Sequence, residues 1–250
     1  MLKTVTYGDP ALPRLLIAHG LFGSARNWGV IAKRLSDQFH VTAVDMRNHG
    51  ESPRGQTQSY ADMAGDLAEV LRDIGPSHVL GHSMGGKSAM VLALAHPELV
   101  EKLVIADIAP VGYGHTQAHL IEAMRKIDLS QVATRGDADR QLAQFVEEDG
   151  IRAFLLQSLD VKAKEWRLNF DVLEAEMPKI IGFPEVSGSF DKPVLFLSGG
   201  SSDYVLREHR PIIKTLFPSA RFAKLPGTGH WLHAEKPREF EATVRVFLSA

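Results

Sequence analysis

Apolar and polar positions follow two rhythms in the first half of the chain, and they alternate. Short apolar runs at 15–18, 39–44, 79–80 and 103–106 end at His19-Gly20, Asp45, Gly81 and Asp107 respectively. Continuous runs this short, bounded by such residues, predict strands buried on both faces. Helical patterns lie between them at about 25–35, 60–74 and 85–95. In the middle one, Met63, Leu67, Val70, Leu71 and Ile74 recur on a single helical face. Pro97 after His96 stops the third. Strand and helix in alternation predict a mostly parallel central sheet with helices on both faces.

The rhythm changes after Gly112. From 113 to 190 no strand-like run stands out, and helical stretches are expected near 120–127, 140–147, 151–156 and 170–175. Alternation resumes with a strand at 194–197, a helix at 207–216, a strand at 221–225 and a closing helix at 238–248. The economical reading is an α/β core of residues 1–112 and 191–250 interrupted by an all-helical cap insertion, 113–190. At under ~100 residues, the insertion is short for an independent domain. The insertion is expected to roof the functional site, and its Trp166 and Phe154 could equally form a small core of their own.

Composition narrows the function classes. There are 28 basic and 30 acidic residues with no block of like charge, so neither nucleic acid nor a membrane surface is an expected partner. No cysteine is present, which excludes disulfides, thiolate metal sites and a cysteine nucleophile, and fits a reducing, cytoplasmic setting. Residues 1–10 lack a basic start and an apolar run, so no signal peptide is expected. No apolar stretch approaches the ~18 residues of a membrane span. A monomer or small homo-oligomer is the expected assembly.

Gly81-His82-Ser83-Met84-Gly85-Gly86 falls between a predicted buried strand and a predicted helix. G-x-S-x-G alone would arise about 0.1 times by chance in a chain of this composition, so its context carries the weight. At a sharp strand-to-helix turn the central residue takes strained dihedrals and its neighbours must be small. The serine oxygen then projects from the carboxyl edge of the sheet, and the next backbone N–H can hold an oxyanion. A flexible turn with a serine N-cap is the plain alternative.

Three further segments stand at predicted strand ends: His19-Gly20-Leu21-Phe22-Gly23, Asp45-Met46-Arg47-Asn48-His49-Gly50-Glu51-Ser52, and Gly227-Thr228-Gly229-His230-Trp231. With the serine motif, and in this order, they resemble the α/β-hydrolase superfamily over nearly the whole chain. More narrowly, Asp107-Ile108-Ala109-Pro110-Val111-Gly112 and the stretch from Gly229 to Pro237 resemble small bacterial serine esterases related to mitochondrial α/β-hydrolase-domain proteins.

A serine hydroxyl needs a neutral imidazole to take its proton and return it to the leaving group. His230, on a glycine-flanked loop, is the candidate base for Ser83. His82 is expected to shape the pocket, His233 to pack nearby and His19 to order the first loop. His115 and His119 have i, i+4 spacing on a predicted helix but no third ligand, so no metal is expected. A carboxylate must orient the imidazole; Asp107 ends the strand after the nucleophile helix, and Asp203 lies in the loop after the next core strand. The esterase resemblance implies Asp107. Aligned on Tyr204-Val205, it puts Ser202 rather than Asp203 at the commoner acid position.

The expected chemistry is carboxylic-ester hydrolysis of short- to medium-chain acyl esters through an acyl-enzyme, with no cofactor. The backbone N–H groups of Leu21 and Met84 are the expected oxyanion donors, and Phe22, His82, Tyr113, Tyr204 and Trp231 are candidate substrate contacts. The same residues would serve a small-molecule thioester or a lactone, and a non-catalytic ligand-binding protein on this fold is the reading from another class.

Overall fold

The computed structural model describes residues 1–250. In chain order its first strands are β1 (Thr4–Tyr7), β2 (Arg14–Ala18), β3 (His40–Val44), β4 (Ser77–His82) and β5 (Val100–Ala106). The helices among them are α1 (Gly29–Leu35), α2 (Tyr60–Ile74) and α3 (Met84–Ala95). Local chemistry sets their ends. The Ser59 hydroxyl accepts from the Asp62 N–H at the start of α2, and Gly75 closes that helix at φ +95°, its N–H bonded to Leu71 O.

The segment after β5 carries α4 (Ala118–Arg125), α5 (Arg135–Leu142) and α6 (Asp149–Leu155). It continues with β6 (Leu159–Asp160), β7 (Glu165–Trp166), α7 (Phe170–Ala175) and α8 (Met177–Ile181). The core then resumes with β8 (Val194–Gly199), α9 (Arg210–Leu216), β9 (Ala220–Leu225), α10 (Leu232–Glu235) and α11 (Pro237–Ser249). Seven strands form one sheet in the order β1-β3-β2-β4-β5-β8-β9, parallel except for β1 against β3.

The structure corrects the sequence reading in three places. The insertion is not all-helical, because β6 and β7 pair as an antiparallel hairpin of two residues each. That pairing is too short to leave a period-2 signature. β1 was missed because it is a half-exposed edge strand with no apolar run. α5 starts at Arg135, not near Arg140, because Thr134 and Asp137 form a capping box there.

The sheet is covered on both faces. One face packs α1 and α11 around Trp28, Ile31, Phe240 and Val244. On the other, α2, α3 and α9 share one apolar body with the inserted helices, through residues such as Met63, Met90, Leu120, Leu173 and Ile213. Trp166 joins that body, so the insertion has no core of its own.

Hydrogen bonds fasten the insertion to the sheet-edge loops. Tyr60 Oη donates to Ile180 O (2.5 Å), Ser158 Oγ to Phe22 O (2.7 Å) and Gly50 N–H to Arg167 O (2.8 Å). No helix is long and apolar enough to cross a membrane.

Candidate active site

Ser83 stands between the end of β4 and the start of α3 with φ +53° and ψ −122°, a region that L-residues rarely occupy. Its neighbours explain the glycines around it. A Cβ on Gly81 would lie 2.4 Å from Gly85 O, one on Gly85 2.4 Å from Ala18 O, and one on Gly86 2.6 Å from Ile108 Cγ2. Each glycine is required by a close approach at this turn. Phe22 (φ +64°) and Asp107 (φ +52°), on the loops after β2 and β5, the two strands that flank β4, are also left-handed. Three of the five non-glycine residues with positive φ thus lie on the loops around the serine turn.

Three side chains meet there. The Ser83 hydroxyl lies 3.1 Å from His230 Nε2, and His230 Nδ1 lies 2.8 Å from Asp107 Oδ2. Asp107 is fully buried, yet both of its oxygens are satisfied. Oδ1 accepts the Gly199 N–H at 2.9 Å, while Oδ2 also takes the Ser202 hydroxyl. The buried carboxylate therefore favours the tautomer with a proton on Nδ1, which leaves Nε2 free to accept from Ser83. Asp203 is exposed and makes no hydrogen bond to His230. Of the two carboxylates weighed from the sequence, the fold brings Asp107 to the imidazole.

Two cavity residues beside the serine, Leu21 and Met84, have backbone N–H groups without a protein acceptor. Met84 is the first residue of α3, where the helical ladder offers its N–H no partner. The Leu21 N–H has no protein acceptor, although those of Phe22 and Gly23 are both bonded. A pair of buried imidazoles shapes the Leu21 loop. Phe22 N–H donates to His49 Nε2 at 3.1 Å, and His49 Nδ1 donates to Arg47 O at 2.8 Å. Likewise Met46 N–H donates to His19 Nε2 at 2.9 Å, and His19 Nδ1 donates to Gly20 O at 2.7 Å. Burial lowers His19 to about 4 and His49 to about 3, so both are neutral near pH 7.

A cavity of about 350 Å³ opens above Ser83. All five substrate-contact candidates line it: Phe22, His82, Tyr113, Tyr204 and Trp231. Tyr204 stacks on the His230 ring with centroids 4.0 Å apart, and His82 Nε2 donates to His230 O at 2.9 Å. His233 stacks on Trp28 beneath the loop at 4.3 Å and lies outside the cavity. The inserted segment supplies much of the opposite wall through Leu120, Ile151, Phe154, Ile180 and Ile181.

The sequence reading missed Lys87 and Tyr60 as cavity residues and His49 as a support of the loop. For Lys87 the one sequence signal was its place four residues after Ser83, in the first turn of α3, which does not reveal its burial. His115 precedes α4 instead of lying on it, and its Nε2 meets Tyr204 Oη at 2.7 Å. No group of three potential metal ligands assembles around it or elsewhere.

With this geometry in view, comparison with known proteins places the chain. The family profile described as "alpha/beta hydrolase fold" matches residues 13–237. The chain belongs to that family.

Among α/β-hydrolases it is 42% identical to the sn-1-specific diacylglycerol lipase ABHD11 of Mus musculus, over 97% of this chain and 83% of that protein. It is 39% identical to the esterase YbfF of Escherichia coli (strain K12), over 94% of this chain and 92% of the relative. A solved structure named "Marine microorganism esterase" superposes with a TM-score of 0.93 at 38% identity, covering 98% of both chains.

Proposed function

We propose that this protein is a serine carboxylic-ester hydrolase acting through an acyl-enzyme. The observation that carries the proposal is the unbroken line from the Ser83 hydroxyl through His230 to the buried Asp107, at 3.1 and 2.8 Å. Similarity to proteins named as esterases and as a lipase agrees with it.

Ser83 Oγ attacks the ester carbonyl carbon while His230 Nε2 takes the hydroxyl proton. Charge that develops on the carbonyl oxygen is held by the N–H groups of Leu21 and Met84, aimed before the reaction begins. Asp107 keeps Nδ1 protonated and stabilises the imidazolium as it forms. The tetrahedral species collapses, His230 returns the proton to the departing alkoxide, and the alcohol leaves. Water then gives its proton to His230 and attacks the acyl-Ser83 carbonyl. Collapse of this second intermediate breaks the bond to Ser83, which recovers its proton from His230, and the acid leaves.

The inserted segment, 113–190, serves as the cap. It adds apolar wall facing Ser83, which excludes water and favours an acyl chain in the cavity. A cavity of about 350 Å³ suits short- to medium-chain esters.

Hydrolysis of p-nitrophenyl acetate, butyrate and octanoate by the wild type, Ser83→Ala, Asp107→Asn and Asp203→Asn tests the reading. Loss of turnover in the first two variants, with Asp203→Asn active, is expected. Equal inertness of wild type and Ser83→Ala on all three esters would overturn it.

A further inference from the structure

Lys87 is an unusual occupant of this cavity. Its side chain is 1% exposed, on α3 one turn beyond Ser83. Nζ donates to the carbonyls of Ile181 and Gly182, at 3.0 and 2.5 Å, which leaves one donor over. The Tyr113 ring lies 4.6 Å away and the Tyr60 ring 5.7 Å. Burial raises both phenols, so neither supplies negative charge near neutrality. Its hydrogen-bond partners are both carbonyls, with no carboxylate among them, and no Asp or Glu lines the cavity.

An ammonium without a counter-ion is expensive to bury, and removing it from water pulls Lys87 down to about 7. A methionine would fill much the same volume at no such cost. The cavity walls are mostly apolar or aromatic, as at Ile108, Leu120, Ile180 and Ile181, with His115, Gln117 and His119 as polar groups. A carboxylate entering here would find one lysine or arginine, Lys87, as its strong, directional partner. Charge-assisted hydrogen bonds of this kind are about twice as strong as neutral ones.

We propose that Lys87 is an anion subsite and that the preferred substrates are esters carrying a carboxylate away from the scissile bond. The inference rests on the ester-hydrolase reading above. Ser83 and Lys87 are about 6 Å apart along the helix axis, at 1.5 Å rise per residue. A spacer of about two to four methylenes between the ester carbonyl and the carboxylate matches that interval and the reach of a lysine.

The test compares kcat/KM for the monoethyl esters of succinate, glutarate and adipate with that for neutral esters in which an isopropyl group replaces the carboxylate. An ester with its carboxylate on the alcohol side, 4-butyryloxybutanoate, forms a second arm and shows which half of the substrate meets Lys87. Wild type should favour at least one charged ester over its isostere by about tenfold, and Lys87→Met should abolish that ratio. If Lys87 only tethers α8, the variant will lower both rates by the same factor and leave the ratio unchanged, which overturns the proposal. A wild-type preference for the neutral esters overturns it without recourse to any variant.

Titration of glutarate and adipate into Ser83→Ala by calorimetry, with butyrate as control, separates the two readings. Dicarboxylate binding that Lys87→Met removes, with no ester turned over, would uphold the subsite and sink the hydrolase. Hydrolysis with no charge preference and no such binding would do the reverse.

Discussion

Ser202 donates its hydroxyl to the same Asp107 oxygen, Oδ2, that lies 2.8 Å from His230 Nδ1. The serine on the loop after β8 thus supports a carboxylate supplied by the loop after β5. This division of labour predicts a graded series. Asp107→Asn should lower kcat by about 10⁴, the scale seen when such an acid no longer enforces the right tautomer. Ser202→Ala removes only one charge-assisted hydrogen bond and should cost about tenfold in kcat. Asp203→Asn should stay within about twofold, as expected of an exposed residue that takes no part. Steady-state kinetics on p-nitrophenyl butyrate check all three. A larger loss in Asp203→Asn than in Asp107→Asn would reverse the assignment.

His49 and Phe22 are coupled through a single bond, Phe22 N–H to His49 Nε2 at 3.1 Å. That acceptor holds Phe22 at φ +64°, beside the unpaired Leu21 N–H. His49→Ala should therefore misplace an oxyanion donor and lower kcat by about 10- to 100-fold, somewhat less than outright removal of a donor, with a smaller change in KM. A variant that raises KM while keeping kcat would show that the loop serves binding instead.

Buried neutral histidines make stability depend on acidity. His19 lies at about 4, and His49 and His233 at about 3, against 6.5 for the ordinary ring. Between about pH 4 and 6.5 the unfolded chain binds protons that the folded chain refuses, so stability rises with pH across that window. It is fully present above 6.5 and is lost on acidification, by up to about 1.4 kcal/mol per pH unit for each histidine. The urea midpoint should hold steady from pH 7.5 to 7 and fall steeply from 6.5 to 5. A flat midpoint down to pH 5 would contradict the burial of these rings.

The glycines of the serine turn are predicted to tolerate no side chain. Gly85→Ala places a Cβ 2.4 Å from the carbonyl oxygens of Ala18 and His19, backbone that cannot swing away. A cost of at least about 3 kcal/mol is expected, at the upper end for overpacking. Gly65, on α2 with nothing within 4 Å of its Cβ position, is the control. There alanine should stabilise by about 0.5–1 kcal/mol, since it restricts the unfolded chain and favours helix. Thermal melts of the two variants decide this, and similar melting temperatures would count against the close-packed turn.

Much of this was legible beforehand because strand ends carry both pattern and chemistry. The runs ending at Gly20, Asp45, Gly81 and Asp107 read as buried strands, and Ser83 follows from where one of them stops; strand ends alone left Asp107 and Asp203 both open, and only the esterase resemblance favoured Asp107. His230 was visible through its glycines. What stayed hidden is where short-range pattern is weak. The β6–β7 hairpin pairs only two residues on each strand, and β1 is an exposed edge. Lys87 reads as a surface residue on a helix until the inserted segment folds over it, so its burial is a tertiary fact. His49 likewise gains its role from Phe22, 27 positions earlier in the chain.

The central claim is a covalent acyl-Ser83. Intact-mass measurement of the protein quenched in acid during turnover of p-nitrophenyl butyrate, followed by peptide mapping, tests it most directly. A butyryl adduct confined to the peptide holding Ser83, absent from Ser83→Ala and persisting longer in Asp107→Asn, is the predicted result. Rapid ester hydrolysis with the adduct on another residue, or at undiminished rate in Ser83→Ala, would contradict it.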